Sequence, residues 1–479
     1  DDHAGVMKDI LPAPDSPAAG ADAPFMPIGF VRHHEVQHDG EAQAPDATQA
    51  QPQFQPLADV HALRMERVRD LVRGRFTERA ARWDQERLYC WENIADLSAA
   101  GLLGMTLPVQ YGGAGASLRE ALDVIEEVAT ACTLTARIVV ETNMGAVSAI
   151  MAYGTEAQKQ HAAALVLAGD KPAICMSEPE AGSAATEMRT MARRTDGGYR
   201  ITGRKHWITG GGVSRLHLIF ARVRDTDGSD LGIGGFLVTA DASNARDDHG
   251  RHPASCFPSG FKVVRHERTM GLCGMPEAEL AFDDLFVSDD QVLLPPSGFA
   301  GGFKDLMTVY NGQRVGAGTV ALGVATGAMR RAVAYLKSRE QFGRPLAEFQ
   351  GLQWMLADMD TAVTAARLML HDAAGSADTS GTGFPDMARA ARAKLFASES
   401  AIKVVSDALQ MFGARGYGSQ EPLERMYRDV RMFTIGGGTA QILRTQIAGT
   451  ALGMRTPQTR VWPDQKTTPD TRPGVIAAA

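Results

Sequence analysis

Three groups of residues in this chain carry types and spacings that could do chemistry. Cys175–Gly211 reads CMSEPEAGSAATEMRTMARRTDGGYRITGRKHWITGG. Its opening Ser177–Ser183 run is a polar, glycine-containing loop, and small residues let a backbone approach a flat or phosphorylated ligand closely. Tyr199 and Ile201 then alternate ahead of Gly203–Thr209, the pattern of a hairpin in a β-rich unit. Trp207 and Thr209 lie two apart, so a strand puts an aromatic plane and a hydroxyl on one face. Trp-Ile-Thr alone is equally an ordinary hairpin with a packed aromatic. In the second group, Arg137 and Glu141 stand at i and i+4 in the apolar run Cys132–Gly145, where an intrahelical ion pair is the plain reading. The third group is carboxyl-terminal: YLKSREQFGRPLAEFQGLQWMLAD at 335–358, and QMFGARGYGSQEPLERMYRDVRMFTIGGGTAQ at 410–441.

These groups need a large scaffold. The 479 residues suggest about three units of ordinary domain size. A hydrophobic content of 44% with 22% charged residues is that of a globular chain with a sizeable core. A net charge of −7 argues against general nucleic-acid binding. The five cysteines form no CxxC pair and have no metal spacing, which points to reduced thiols and a cytoplasmic protein. No apolar run is long enough for a membrane span, and no secretory signal is visible at the amino terminus.

Residues 1–58 are poor in periodic apolar positions and read as a mobile arm, with Phe25–Phe30 able to dock and His33 and His34 in a solvated tail. Residues 59–170 read as a helical unit. Val60, Leu63, Val68 and Leu71 mark its first helix, and Leu118–Cys132 and Arg137–Tyr153 mark two long buried ones. Residues 171–297 form a β-rich unit containing a polar, Pro- and Gly-bearing insertion at 241–261, expected to be a mobile surface loop. Residues 298–455 form a bundle of long helices with a flexible turn at Gly375–Gly383, and 456–479 a frayed tail.

The segment Leu97–Gly115, ending in a Pro-x-x-Tyr-Gly-Gly loop, and then Cys175–Gly211, Tyr335–Asp358 and Gln410–Gln441 fall in order within about residues 60–455 and closely resemble the signatures of the acyl-CoA dehydrogenase superfamily. The resemblance implies an α+β fold: an N-terminal helical domain, a middle β-domain and a C-terminal four-helix bundle. It implies FAD as cofactor, an acyl-CoA substrate, and a homodimer or homotetramer. Met176, Ser177, Trp207 and Thr209 match positions that meet the flavin ring. Arg339, Phe342 and Gln350 match residues that hold the diphosphate and adenine end across a subunit interface, roles that suit the planar donor fork of Arg. Gln410 and Gly413 match a phosphate-facing turn, and Thr439 and Gln441 a further nucleotide contact. The family often has Gly-Gly where this chain has Gly413-Ala414, followed by Arg415, a mild departure. Ser183 and Arg314 match positions near the thioester, pantetheine and CoA arm.

The departure that matters concerns the base. Family dehydrogenases take a proton from Cα while Cβ gives hydride to the flavin, and a weak carbon acid needs a desolvated carboxylate against it. Most members carry that Glu in Ile-Tyr-Glu-Gly-Thr. Here the stretch is Ile435-Gly436-Gly437-Gly438-Thr439, so Gly437 takes its place. A minority carry it just before the Arg of the CoA arm, where this chain has Gln313 ahead of Arg314. An amide cannot serve as a base at accessible pH. Aligned with the family, Arg137 falls at the acyl end of the pocket, where it could clamp a carboxylate or sulfinate. Glu141 is then its partner or a relocated base.

Three readings follow. One is an FAD-dependent dehydrogenase acting at Cα–Cβ through a moved base, with electron-transfer flavoprotein as partner. Another is a non-redox lyase or hydrolase of the same fold, similar to the sulfinopropionyl-CoA desulfinases in its Gln313, Gly437 and Arg137. The last is a non-catalytic flavin-binding scaffold, against which the retained motifs argue.

Overall fold

The computed structural model describes residues 57–241, 246–247, 249–454 and 456. The expected arm up to residue 56 and the tail from 457 lie outside them. Seven helices open the described chain: α1 (Leu57–Leu71), α2 (Thr77–Gln85), α3 (Trp91–Ala99), α4 (Leu118–Ala129), α5 (Thr133–Asn143), α6 (Ala146–Tyr153) and α7 (Glu156–Leu167). A π-helical turn at Val72–Phe76 joins α1 to α2. The buried stripe there is Met65, Val68, Val72 and Phe76, whereas Val60 and Leu63, whose spacing marks the helix, are 44% and 43% exposed. The core-facing periodicity starts one turn later than the hydrophobic residues suggest, so the first turn overhangs the body. Capping boxes set the starts of α4 (Ser117 with Glu120) and α7 (Thr155 with Gln158).

The helix expected over Arg137–Tyr153 is two helices. α5 stops at Asn143, whose Nδ2 donates to the carbonyls of Leu102 and Val139, and Gly145 turns the chain at φ +70° into α6. All eleven residues of α5 are buried, Arg137 and Glu141 included. A buried helix that carries charge must satisfy it internally, and this one does so at the candidate site.

The middle unit is an eight-stranded sheet built from β1 (Ala173–Cys175), β2 (Met191–Thr195), β3 (Gly198–Thr209), β4 (Leu216–Arg224), β5 (Asp230–Thr239), β6 (Phe261–His266), β7 (Glu277–Ser288) and β8 (Val292–Leu293). The order is β6-β7-β3-β2-β4-β5-β8, and β1 also pairs with β4. β1 lies parallel to His217–Ile219 and β2 parallel to Arg222–Arg224, so they share one side of β4. The chain between them, 176–190, leaves the sheet as the Ser-Glu-Pro-Glu-Ala-Gly-Ser loop. A buried ion pair pins that loop: Lys205 Nζ donates to Glu178 Oε1 at 2.8 Å, and the Glu178 carboxylate accepts from the Arg189 and Thr190 amides. β3 and β7 pair antiparallel with Thr209 opposite Glu277, and the register shifts between Lys205 and Ile208. Trp207 sits in that irregularity at φ +60°, a conformation disfavoured for a bulky residue and concentrated at functional sites.

The insertion differs from expectation over its described part. Phe257 stacks on Phe261 at 4.7 Å, Arg246 lies 3.5 Å over the Trp91 ring, and His252, Cys256 and Phe257 are buried. Aromatic and apolar residues hidden in a polar-looking stretch anchor it between the sheet and α3.

α8 (Gly298–Ser338) runs for 41 residues, followed by α9 (Gln350–Gly375), α10 (Met387–Phe412), α11 (Ala414–Tyr417), α12 (Pro422–Val430) and α13 (Ala440–Leu452). α8, α9, α10 and α13 form the bundle, and α8 also packs on α4 and α5. Glycines permit that approach: a Cβ on Gly323 would stand 2.3 Å from the Glu126 carbonyl oxygen. No helix among the described residues is long and apolar enough to cross a membrane.

Candidate active site

A cavity of about 1280 Å³ opens between the sheet, α5, α8 and the loop before α13. Ordinary ligand pockets hold roughly 300–1,000 Å³, so this one has room for a cofactor and a substrate arm together. Arg137, Glu141, Met176, Ser177, Ser183, Trp207, Thr209, Gln313, Arg314, Gly437 and Thr439 all line it. Elements distant in sequence therefore bring eleven of the expected site residues to one space. Arg339, Phe342, Gln350, Gln410, Gly413 and Gln441 do not line it. They are exposed, Phe342 at 92%.

One end of the cavity is a charged cluster. Arg137 Nη2 donates to Glu141 Oε1 within α5. Lys171 Nζ, on the segment entering β1, donates to Glu141 Oε2 and to the Thr209 carbonyl, both at 3.0 Å. Thr209 Oγ1 donates to Glu277 Oε1 and Oε2 at 2.9 and 3.0 Å. Gln313 Nε2 stands 3.5 Å from Glu141 Oε1. Burial pushes the Glu141 carboxyl up, but the charges of Lys171 and Arg137 and their hydrogen bonds hold it below its ordinary value. Glu277 goes the other way. Burial outweighs Arg137, the Thr209 hydrogen bond and Lys171, with Glu141 adding repulsion, and its carboxyl is pushed up to about 7. Two donors or acceptors in this cluster have no partner among the described residues: Arg137 Nε and Gln313 Oε1, both buried. Buried polar atoms are nearly always paired; both residues line the cavity, and Gln313 Oε1 packs against Gly145.

Two further cations hold the Gly437–Gly438 turn. Arg314 Nε donates to the Gly437 carbonyl at 3.2 Å, and its Nη1 donates to Asn311 Oδ1 at 2.8 Å. Lys394 Nζ donates to the Gly438 carbonyl at 2.8 Å, and burial followed by the charges of Arg314 and Arg137 lowers its amine to about 7. Gly437 and Gly438 are at φ +74° and +93°, where a side chain is strained, yet a Cβ on Gly437 would meet only Lys394 Cε at 4.0 Å. The space beside Gly437 is open, and the backbone there suits glycine.

Lys171, Glu277 and Lys394 belong to the site without being singled out in the sequence. Glu277 carries no signal in its own stretch, and only the β3–β7 register reveals that it faces Thr209. Lys171 and Lys394 are ordinary lysines by type, and their burial depends on tertiary packing.

The donor set suits a flavin. Trp207, 55% exposed and held at φ +60°, lines the cavity, as do Ser177 and Thr439. Residues 59–170, 173–285 and 300–452 match the acyl-CoA dehydrogenase N-terminal, middle and C-terminal domains.

The chain belongs to the acyl-CoA dehydrogenase family.

Within the family it is similar to 3-sulfinopropanoyl-CoA desulfinase of Variovorax paradoxus, 55% identical over 394 residues, covering 82% of this chain and 94% of that protein. A protein of the same name from Cupriavidus necator is 54% identical over 394 residues, 82% of this chain and 95% of the other. Among solved structures, butyryl-CoA dehydrogenase from Megasphaera elsdenii matches at 29% identity with a TM-score of 0.73, over 83% of this chain and all of that one.

Proposed function

We propose that this member of the acyl-CoA dehydrogenase family is a desulfinase. It cleaves the C–S bond of a 3-sulfinoacyl-CoA thioester, 3-sulfinopropanoyl-CoA being the expected substrate, and releases sulfite without net redox change. The observation that carries this reading is the Arg137–Glu141–Lys171 cluster. A dehydrogenase needs a free, basic carboxylate against Cα. Gln313 and Gly437 offer none, and Glu141 is neutralised by two cations and made less basic by them. Arg137 keeps a buried donor unpaired, as a guanidinium would that awaits two anionic oxygens. The identity of 55% to a protein named as a desulfinase supports the same reading.

In this reading Arg137 clamps the sulfinate, with Glu141 and Lys171 fixing its rotamer. Gln313 offers its amide to the acyl portion. Arg314 steadies the Gly437 carbonyl and faces the CoA arm, with Ser183 near the pantetheine. FAD is held by Met176, Ser177, Trp207, Thr209 and Thr439, with Arg339, Phe342, Gln350, Gln410, Gly413 and Gln441 serving its nucleotide portion in a dimer or tetramer. Bound flavin supplies reversible hydride acceptance, which a dehydrogenase uses and a desulfinase does not need. Electron-transfer flavoprotein is then no partner in turnover.

Arg137 variants test the reading. Arg137→Ala should lower kcat/KM for the sulfinate thioester by at least ~100-fold, in line with loss of a buried charge-assisted contact of about 3 kcal/mol, with flavin content unchanged. Arg137→Lys should recover little, because an ammonium cannot make the bidentate contact. Equal activity of Arg137→Ala and wild type on that substrate would sink the clamp.

A further inference from the structure

The charged cluster contains a carboxyl that the reading above does not use. Three carboxylates line the cavity among the described residues: Glu141, Glu178 and Glu277. Glu141 is occupied by Arg137 and Lys171. Glu178 is occupied by Lys205 and two backbone amides, which together overcome burial and keep it below its ordinary value. Glu277 has no cation in hydrogen-bond contact; it has the Thr209 hydroxyl, and it feels the charges of Arg137, Lys171 and Glu141 from α5 and the segment before β1. Among the described residues no histidine lines the cavity.

We infer that Glu277 is the proton donor to the carbon that loses sulfur. This rests on the desulfinase reading and adds a step to it. If Arg137 holds the sulfinate oxygens, the carbon bearing sulfur is one bond further in, and Glu277 is the cavity-lining carboxyl that has no cation partner yet feels the Arg137 charge. The C–S bond breaks with its electron pair going to carbon, and that carbon takes the Glu277 proton in the same step, so no free carbanion accumulates. Sulfur leaves as sulfur dioxide. Water adds to it to give hydrogen sulfite, and the proton released in that addition returns to Glu277. Sulfinate thioester and water thus become the desulfinated thioester and hydrogen sulfite. The electrons stay within the substrate, since carbon gains the pair that sulfur gives up, and no outside oxidant or reductant enters.

The surroundings suit a group that must cycle. Thr209 donates to the carboxylate and can accept from the carboxyl, since a hydroxyl serves both ways. Burial keeps the proton on Glu277 up to about pH 7, where a donor is both loaded and willing to give it up. Arg137 and Lys171 stabilise the carboxylate left behind after transfer.

The test uses flavin-loaded wild type and Glu277→Gln, a nearly isosteric change, with 3-sulfinopropanoyl-CoA as probe. Wild-type kcat for sulfite release should fall as pH rises through about 7, the region of the Glu277 carboxyl. In Glu277→Gln, kcat should drop by at least ~100-fold, the usual scale of a lost general acid, and lose that pH dependence. Substrate affinity, read from the perturbed flavin spectrum, should stay within about 3-fold, since the amide keeps the Thr209 contact. A Gln variant that keeps wild-type kcat and the same pH slope overturns the assignment. If the variant loses flavin, the wild-type profile decides: a kcat flat from about pH 6 to 9 overturns the inference, because a buried acid in this range must titrate there. Wild type that releases no sulfite would instead sink the desulfinase reading itself, before Glu277 comes into question.

Discussion

Gln313 shows how much one side chain can decide. It stands beside Glu141 on one side and closes against Gly145 on the other, where an added Cβ would come within 2.4 Å of its Oε1. A carboxylate at 313 would be buried, and burial raises basicity. Gln313→Glu should therefore give a variant whose flavin is bleached by a saturated acyl-CoA. Gly437→Glu should do so less well, because its backbone at φ +74° strains any side chain by about 1–3 kcal/mol. An anaerobic flavin spectrum reads both, and equal bleaching by the two would count against the strain argument. Lys394 supplies a pH signature. Its amine lies at about 7 in the fold against 10.5 unfolded, so between those values the unfolded chain binds more protons. Stability from this group is present above pH 10.5 and is lost as pH falls through about 7. Lys394→Met should flatten that slope in denaturant titrations at pH 7 and 9, and an unchanged slope would refute it. At this scale Arg137, Glu141, Gln313 and Gly437 were legible as types in a pattern. Glu277, Lys171 and Lys394 were not, because their roles come from partners remote in sequence.

At the scale of elements, the motif-bearing segments were legible and their interruptions were not. The break between α5 and α6 falls at Gly145, an isolated glycine in an apolar run, held at positive φ where a Cβ would collide with Gln313. Gly145→Ala should cost at least about 1–3 kcal/mol in chemical denaturation from backbone strain alone. It should also push Gln313 from its seat and weaken acyl-CoA binding. A variant as stable as wild type would mean that α5 can run on without the turn. The insertion misled for another reason. Polar composition outweighed Cys256, Phe257 and Phe261, three buried residues that tie its second half to the sheet. Apolar content summed over a window hides an anchor of three residues.

For the whole molecule, the α+β order of helical domain, sheet and helical bundle was legible because four motifs fell in sequence along the chain. The residues matched to a cross-subunit nucleotide site, Arg339, Phe342 and Gln350, lie exposed and away from the cavity in a single copy of the chain. Phe342, Trp354, Leu368 and Tyr417 remain exposed on the bundle and its loops, an apolar surface that suits association. A dimer or tetramer is expected by sedimentation. Phe342→Asp should lower both assembly and retained FAD, whereas a fully flavinylated monomer would contradict the cross-subunit role. The account as a whole turns on one anaerobic mixing experiment with the purified flavoprotein and 3-sulfinopropanoyl-CoA, following the visible flavin band and free sulfite together. The account predicts stoichiometric sulfite while the flavin stays oxidised. A bleached flavin without sulfite would contradict it and return the chain to the dehydrogenases.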